Sequence, residues 1–250
     1  MLMAERHQLI LQILEKEGKL IARDLGLALS VSEDTIRRDL GKLSKSGMLQ
    51  RVHGGALPRS PGAVRFSTRP QASSIKIAIA RAAIKMIHNG QVVILDGGTT
   101  TLQIAKEFPL DLKITVITNG PPIALALAEH PNIEVIIAGG RLQKDSIVGT
   151  GAETINMLQK IRADYCFLGI YGIHPEEGIT NPNLEEAYVK KMMIDRSAEV
   201  IGLASAEKLG TATTYTVGAI NNLTHLITEK KISAKILEPY KKQGITIMQV

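Results

Sequence analysis

The richest cluster of charged side chains lies between Thr35 and Arg59, where positive groups far outnumber negative ones. Its one acid is Asp39, and its basic residues are Arg37, Arg38, Lys42, Lys45, Arg51 and Arg59. The local formal charge is about +5, whereas the whole chain of 250 residues carries +6. This excess predicts a polyanionic partner. Because Trp is absent and aromatic residues make up 3% of the chain, stacking on single-stranded bases is not favoured.

Residues 32–40 have the start signal and the periodicity of a short amphipathic helix. The Ser32 hydroxyl can accept a hydrogen bond from a free backbone N–H of the first turn, and Glu33 and Asp34 place negative charge at the positive end of the helix dipole. Ile36 and Leu40 recur at helical spacing, which leaves the arginines between them on other faces. Arginine suits bidentate contacts with guanine or phosphate. We therefore interpret this stretch as a DNA recognition helix.

Short elements on either side of the recognition helix predict a winged helix-turn-helix. Residues 7–17 and 22–29 carry apolar side chains at helical spacing, and residues 48–52 alternate like a short strand before the turn His53-Gly54-Gly55. A small helical bundle with a basic solvated face is the alternative interpretation. His53 could either contact phosphate from the wing or satisfy a turn carbonyl. The residues predicted to contact double-stranded DNA are Ser32, Thr35, Arg37, Arg38, Lys42, Arg51 and His53.

A second group of chemically useful residues is the loop Asp96-Gly97-Gly98-Thr99-Thr100-Thr101, which follows an apolar strand and precedes a helix at residues 102–108. Such a loop can offer backbone N–H groups, three hydroxyls and a helix N-terminus to a phosphate. It matches neither the Walker loop nor the dinucleotide fingerprint, so a nucleotide is not favoured. A tight strand-to-helix turn is the structural alternative. Lys208 could lend a cation to the same ligand, or it could be an ordinary solvated loop lysine.

Other small polar loops also follow apolar strands, and they include Thr118-Asn119-Gly120 and Gly139-Gly140-Arg141. Because open α/β sheets bind ligands at the carboxyl ends of their strands, we expect these loops to gather beside the first one. The residues predicted to bind an effector are Asp96, Gly97, Gly98, Thr99, Thr100, Thr101, Asn119 and Lys208. In contrast, we interpret the charges at Glu185, Glu186, Lys190 and Lys191 as ordinary helical surface charges and assign them no catalysis.

The elements that position these loops alternate between strands and helices. Strand-like apolar runs are expected at residues 92–95, 114–118, 133–138, 166–170, 200–203 and 245–250. This rhythm predicts βαβ units and an α/β domain with a mostly parallel, two-sided sheet. Residues 58–74 contain Pro58, Pro61, Gly62 and Pro70, which predict a linker. We thus expect a DNA-binding domain at residues 1–57, a linker at 58–74, and an effector-sensing and oligomerisation domain at 75–250.

Cysteine content and hydropathy limit the kinds of site and the cellular location that we expect. The one cysteine, Cys166, lies in an apolar run, which predicts a buried, inert thiol and leaves no cysteine cluster for a metal. No apolar run reaches the length of a membrane span, and the first residues lack a secretory pattern, so we expect a cytoplasmic protein. We predict no cofactor, no metal and no catalytic residues.

These motifs resemble the DeoR family of bacterial transcription regulators. The matches in the first part of the chain are Ser32-x-x-Thr35-Ile36-Arg37-Arg38-Asp39-Leu40 and Arg51-x-His53-Gly54-Gly55-Ala56. Those further on, in family order, are Asp96-Gly97-Gly98-Thr99-Thr100-Thr101, Val116-Ile117-Thr118-Asn119, Gly139-Gly140-x-Leu142, Val148-Gly149, Phe167-Leu168-Gly169 and Lys190-Lys191-Met192-Met193. The resemblance implies a repressor, less often an activator, of carbohydrate-catabolism genes. It also implies that the C-terminal domain binds a phosphorylated sugar, which changes operator affinity.

The family's C-terminal domain is in turn similar to ribose-5-phosphate isomerase. Those isomerases carry an acidic Asp-Gly-Ala-Asp-Glu type sequence, whereas the corresponding stretch here is Leu168-Gly169-Ile170-Tyr171-Gly172, without a carboxylate for proton transfer. We therefore expect a regulator that binds a palindromic or repeated operator as a homo-oligomer, either a dimer or a tetramer. The alternative is a sugar-phosphate isomerase-like enzyme fused to a DNA-binding domain.

One departure from the family concerns the sensor. The family usually has Asp three residues before the lysine that matches Lys208, and this chain has Ser205 there. An acidic partner for sugar hydroxyls or for the lysine is then missing. A third interpretation is therefore constitutive DNA binding with a vestigial sensor.

Overall fold

The structure is a computed structural model that describes residues 1–60, 65–70 and 72–250. Pro61 and Gly62, on which part of the linker prediction rests, lie outside the described residues. The helices are α1 (Met3–Glu17), α2 (Ala22–Ala28), α3 (Glu33–Lys45), α4 (Ser74–Ile84), α5 (Thr99–Lys106), α6 (Pro121–Leu127), α7 (Ala152–Leu158), α8 (Leu184–Asp195) and α9 (Ala234–Lys241). Short 3-10 turns are formed by Phe66–Thr68, Ala206–Lys208 and Ile220–Asn222.

Within the described residues, the strands fall into one large sheet and three small ones. In chain order they are β1 (Leu20–Ile21), β2 (Gln50–Val52), β3 (Gly55–Leu57), β4 (Val92–Leu95), β5 (Ile114–Thr118), β6 (Ile133–Ile137), β7 (Arg141–Gln143), β8 (Val148–Thr150), β9 (Ala163–Gly169), β10 (Gly172–His174), β11 (Gly178–Asn181), β12 (Ser197–Leu203), β13 (Tyr215–Gly218), β14 (His225–Thr228) and β15 (Thr246–Gln249). The large sheet has the order β15-β14-β12-β9-β4-β5-β6.

The first three helices and the first three strands form the predicted winged helix-turn-helix. At the start of α3 the Ser32 hydroxyl accepts a hydrogen bond from the Thr35 N–H at 3.2 Å, which confirms the predicted cap. Among residues 1–60, 65–70 and 72–250, no side chain caps α2, but its Ala22 N–H donates to the carbonyl of Gly54 at 2.8 Å, so the wing turn supplies the acceptor at that helix end. Apolar side chains such as Ile10, which is fully buried, pack the three helices together.

All pairings in the large sheet are parallel, which confirms the predicted α/β class. From β4 the chain adds β5 and β6 on one side, and then returns to add β9, β12, β14 and β15 on the other. The reversal lies between β4 and β9, where loops leave the sheet in opposite directions and open a crevice. Apolar residues of α4, α5 and α6 cover one face of the sheet and those of α7, α8 and α9 cover the other.

Several boundaries differ from the sequence-based expectation. The predicted strands at 92–95 and 114–118 are confirmed as β4 and β5, and the other predicted strands are displaced at their ends by one to three residues. Helix α1 begins at Met3 instead of residue 7, and α5 begins at Thr99 instead of residue 102. The short strands β1, β7, β8, β10, β11, β13 and β14 were not predicted. Strands of two to four residues carry little periodic signal, and tertiary pairing decides most of them.

The described part of the connecting segment contacts the α/β domain. Phe66 is buried in the core below α4, and its N–H donates to the carbonyl of Asp145 at 2.6 Å. Cys166 is fully buried in the sheet, as predicted, and burial raises the pKa of its thiol. Of the helices in the described part of the chain, none combines the length and apolar character needed to cross a bilayer.

Candidate functional site

The recognition helix α3 exposes both predicted arginines. The side chains of Arg37 and Arg38 are 60% and 75% exposed, and each forms an ion pair one turn back along the helix. Arg37 pairs with Glu33 at 2.7 Å, and Arg38 pairs with Asp34. Exposed pairs of this kind contribute about 0–1 kcal/mol, so a DNA phosphate or base edge can replace the carboxylates at little cost.

The wing brings two further predicted residues to the same side as Arg37. Arg37, Arg51 and His53 line a cleft of about 150 Å³ between α3 and the wing turn. The exposed His53 ring makes no hydrogen bond to a turn carbonyl among residues 1–60, 65–70 and 72–250, which leaves it available to a phosphate. Lys42 lies elsewhere on α3, where its ammonium donates to Met3 Sδ at 3.1 Å. The structure therefore assembles the wing and part of α3 into one cationic cleft.

Asp39, the one acid of the basic stretch, has a structural position. It is 2% exposed, and its carboxylate accepts hydrogen bonds from Arg6 Nε at 2.5 Å and from His7 Nε2 at 3.0 Å. Burial raises the pKa of the Asp39 carboxyl, but the hydrogen bonds and positive charges of Arg6 and His7 outweigh it, so the pKa is lower than usual. Asp39 thus joins α1 to α3, and its charge is paired in the interior and not on the exposed face that carries Arg37 and Arg38.

A cavity of about 270 Å³ opens at the carboxyl ends of β4, β9 and β12, next to the point where the strand order reverses. Of the predicted effector residues, those that line it are Gly97, Gly98, Thr99, Thr100, Thr101 and Lys208. Asp96 and Asn119 do not line it. No residue of the Gly139-Gly140-Arg141 loop is among the described residues of its wall, so that loop does not gather there as expected.

Asp96 and Asn119 hold the loop in place but do not line the cavity. The Asn119 Oδ1 accepts from the Gly97 N–H at 3.1 Å, and its Nδ2 donates to the carbonyl of Gly149 at 3.0 Å. Gly97 is required there because a Cβ at this position would overlap Cγ1 of Val148. The loop is consequently held with its backbone close to the sheet, and the first N–H groups of α5 lack intrahelical partners.

The main residues that sequence reasoning missed are two cations and a tyrosine at the mouth of the cavity. Arg69 and Lys76 both line it, and Lys76 Nζ donates to the Thr99 hydroxyl at 2.7 Å. Tyr171 follows β9, where its ring contacts Arg69 and Lys208. Arg69 and Lys76 belong to none of the motifs identified in the sequence. Tyr171 was noted only as part of the stretch Leu168-Gly169-Ile170-Tyr171-Gly172, and the available signal was that this stretch ends a predicted strand.

The cations of the cavity repel one another in the absence of an anion. Burial lowers the pKa of Arg69, Lys76 and Lys208, and the nearby Arg69 charge lowers the pKa of both lysines further. Glu207 acts in the opposite direction on the two lysines. An anion placed among them and at the N-terminus of α5 would relieve this repulsion and gain the helix dipole.

The interpretation of Glu186 and Lys190 as surface charges is wrong, because both are buried and line the cavity. Glu186 is 8% exposed, and it accepts a hydrogen bond from the Ser146 hydroxyl; burial raises its carboxyl pKa. Lys190 is 5% exposed, and its ammonium pairs with Asp96 and donates to the carbonyl of Gly169 at 2.9 Å. By contrast, Glu185 and Lys191 are partly exposed. One face of α8 therefore belongs to the sheet edge and to the cavity wall.

Ser205 also lines the cavity, in the place where the resemblance led us to expect an aspartate. Its hydroxyl donates to the Glu207 carboxylate at 2.5 Å. Glu207 itself lines the cavity, so a carboxylate two residues further on stands beside Lys208. The cavity wall therefore contains a carboxylate, from Glu207, although residue 205 is a serine and not an aspartate.

Comparisons with known proteins bear on both halves of the chain. A family model described as a DeoR-like helix-turn-helix domain matches residues 6–61, and one described as a DeoR C terminal sensor domain matches residues 71–230. The chain is 34% identical to the HTH-type transcriptional regulator GolR of Listeria innocua, over 97% of each chain. It is 31% identical to the glycerol-3-phosphate regulon repressor of Haemophilus influenzae, over 89% of this chain and 88% of that protein.

Among solved structures, a ribose 5-phosphate isomerase A from Methanocaldococcus jannaschii superposes with a TM-score of 0.40 and 15% identity. The superposition covers 53% of this chain and 52% of that one.

Proposed function

This chain belongs to the DeoR family of DNA-binding transcriptional regulators, and from that membership we propose that it represses carbohydrate-catabolism genes and responds to a phosphorylated sugar. One observation carries the choice of ligand. The cavity is lined by one set of positive groups, which are Lys76, Lys208 and the N-terminus of α5, and by a second set of hydrogen-bonding groups, which are Ser146 and Glu186. A phosphate suits the first set, and sugar hydroxyls suit the second.

The name of one relative supports the same ligand class. The Haemophilus influenzae protein is called a repressor of a glycerol-3-phosphate regulon, and glycerol 3-phosphate is a phosphorylated polyol. The enzyme alternative is not retained because the chain belongs to a family of regulators. In our proposal Asp96 and Asn119 position the loop, while Gly97, Gly98, Thr99, Thr100, Thr101 and Lys208 contact the ligand.

The output of the proposed regulator is operator binding through α3 and the wing. Arg37, Arg51 and His53 share one cleft, and Arg38 lies exposed beside it on α3, so these residues fit contacts with base edges and phosphates. Ser32, Thr35 and Lys42 contribute from the rest of the helix. The protein acts as a homo-oligomer, a dimer or a tetramer, so that two winged helices meet a palindromic or repeated site.

Thermal unfolding of the purified chain with phosphorylated sugars and polyols of three to six carbons tests the sensor. A ligand present at about 100 times its Kd adds about 2.7 kcal/mol to stability, which corresponds to a rise in Tm of roughly 5–10 °C for a chain of this size. We expect one compound to do this without being consumed. The same compound should leave the Lys76→Ala variant unshifted, and should shift the surface control Lys235→Ala as much as the unaltered chain.

DNA duplexes selected from a random pool supply the second measurement. We expect the selected sites to contain inverted or repeated half-sites, and the stabilising compound to change the Kd measured by fluorescence anisotropy. Stabilisation by no phosphorylated compound, with DNA binding intact, would instead favour constitutive binding with a vestigial sensor. Turnover of a sugar phosphate by the purified chain would contradict the proposal that it acts as a regulator and not as an enzyme.

A further inference from the structure

The segment that connects the wing to the α/β domain reaches the mouth of the cavity. Arg69 and Pro70 of this segment line the cavity wall. The Arg69 guanidinium donates to the Tyr171 hydroxyl and lies 5.0 Å from the centre of the Tyr171 ring. Lys208 Nζ, which comes from the loop after β12, lies 5.5 Å from the same ring centre. One aromatic ring therefore contacts a cation of the connecting segment and a cation of the sensor domain.

The same tyrosine is also tied to the end of the segment nearest the wing. Its backbone carbonyl accepts a hydrogen bond from the hydroxyl of Ser60, which is 2% exposed. Ser60 comes three residues after the end of β3 at Leu57, and its N–H donates to the carbonyl of Ala212 at 3.4 Å. Ala212 lies four residues beyond Lys208. Ser60 is thus hydrogen-bonded both to Tyr171 and to the loop that carries Lys208.

Resting on the proposed function, we propose that the connecting segment, residues 58–60 and 65–70, is itself part of the effector site and carries its occupancy to the wing. In this arrangement Arg69 supplies a direct contact to the anionic group of the effector. Tyr171 is a positioning residue, since its ring holds Arg69 beside Lys208. Ser60 is the positioning residue that joins Tyr171 to the strand of the wing.

The physical basis of this coupling is the attraction between the Arg69 guanidinium and an anion bound in the cavity. The Tyr171 ring attracts the nearby cations through its negative face only, whereas a phosphate offers the Arg69 guanidinium a full charge and paired hydrogen bonds in a half-buried site. An anion therefore binds best to the arrangement in which Arg69 faces it. Because ligands shift populations toward the state they prefer, occupancy favours the docked segment and restricts the wing that follows β3.

Inorganic phosphate, titrated calorimetrically against the full chain at constant ionic strength, tests the contribution of Arg69. We expect Arg69→Ala to weaken phosphate binding at least tenfold, and Arg69→Lys to recover part of the loss. The matched control is Arg65→Ala, which removes the same charge from the same segment but lies outside the cavity, beside Asp145; it should change the Kd less than twofold.

The Lys76→Ala variant separates this inference from the proposed function. Loss of phosphate binding in Lys76→Ala, with unchanged binding in Arg69→Ala, would leave the anion site in place and overturn the role of the segment. Absence of phosphate binding in the unaltered chain would contradict both.

Hydrogen–deuterium exchange of the full chain, with and without 10 mM phosphate, tests the connection to the wing. We expect phosphate to slow amide exchange at least threefold in peptides covering residues 55–60 and 206–212. Ser60→Ala should keep the protection at 206–212 and lose it at 55–60, whereas the control Thr68→Ala, which loses an exposed hydroxyl bonded within the segment, should keep both. Protection at 55–60 that persists in Ser60→Ala, or that never occurs in the unaltered chain, would overturn the proposal.

Discussion

At the scale of single residues, Lys190 and Lys191 show how adjacent identical side chains can have different roles. Lys190 is buried and pairs with Asp96 beneath the loop that forms the cavity floor. Lys191, one position further along α8, pairs with Asp195 at the surface. Removing one partner of a buried pair leaves an uncompensated charge, which is costly, whereas an exposed pair contributes little.

We therefore expect Lys190→Met to lower the free energy of unfolding by about 3–5 kcal/mol, and Lys191→Met to change it by less than about 1 kcal/mol. Urea denaturation followed by circular dichroism measures both. If Lys190→Met fails to fold, the double variant Asp96→Asn/Lys190→Met, which removes both charges of the buried pair, should restore folding. Equal effects of the two single substitutions would contradict the buried pair.

Arg37 and Arg38 carry the residue-scale prediction for DNA. Each is paired with an exposed carboxylate of the same helix, which a DNA duplex can displace at little cost. We expect Arg37→Ala or Arg38→Ala to weaken operator binding by about 1–3 kcal/mol where the guanidinium contacts a base edge, and by less where it contacts phosphate alone. Fluorescence anisotropy over a range of salt concentrations measures the change. The surface control Lys235→Ala should bind as the unaltered chain does. Unchanged operator affinity in both arginine variants would show that α3 does not recognise DNA through these residues.

At the scale of elements, Asp39 joins α3 to α1 through Arg6 and His7. Its pKa is below the ordinary value of about 3.9, so the folded state holds the ionised carboxylate better than the unfolded state does. The resulting stability is present in full above about pH 5, and it is lost as the pH falls through the lowered native pKa.

We expect Asp39→Asn to lower the free energy of unfolding at pH 7 by about 1–3 kcal/mol, and to reduce its dependence on pH below 5. Parallel urea titrations of the two proteins between pH 7 and pH 3 isolate this carboxyl from the others. A constant difference between the proteins across that range would show that the ionised Asp39 does not stabilise the contact between the helices.

At the scale of the whole molecule, the cavity combines parts of the chain that are far apart in sequence. Arg69 and Tyr171, for example, are 102 residues apart, and Lys208 is further still. The parallel sheet brings the carboxyl ends of β4, β9 and β12 to one edge, and α4 and the connecting segment close it from the side. The cavity is thus formed by the whole sheet edge and the elements beside it, and not by one loop.

The lowered pKa values of Lys76 and Lys208 predict how anion binding depends on pH. Sulfate keeps its charge above neutral pH, so its binding reports the protonation of the protein. We expect its affinity to fall about tenfold between pH 7 and pH 10, equivalent to about 1.4 kcal/mol, because the two ammonium groups lose their protons before an ordinary lysine does. In Lys76→Arg, whose guanidinium stays protonated, the decline should be smaller. Constant affinity up to pH 10 in the unaltered chain would contradict the assignment.

The sequence by itself determined the elements whose signals are local. The cap at Ser32, the basic face of α3 and the central strands β4 and β5 follow from hydrogen-bonding capacity, charge and periodicity within a few residues. The loop at Asp96 through Thr101 was also visible, because a glycine-rich strand-to-helix turn is a local pattern.

Only the tertiary structure decided which side chains share the cavity. Burial turned Lys190 and Glu186 from apparent surface charges into parts of its floor and wall, and the fold brought Arg69, Lys76 and Tyr171 to its mouth. The physical reason is that periodicity gives a side chain's face on its own element, whereas burial and ion pairing depend on what another element places against that face.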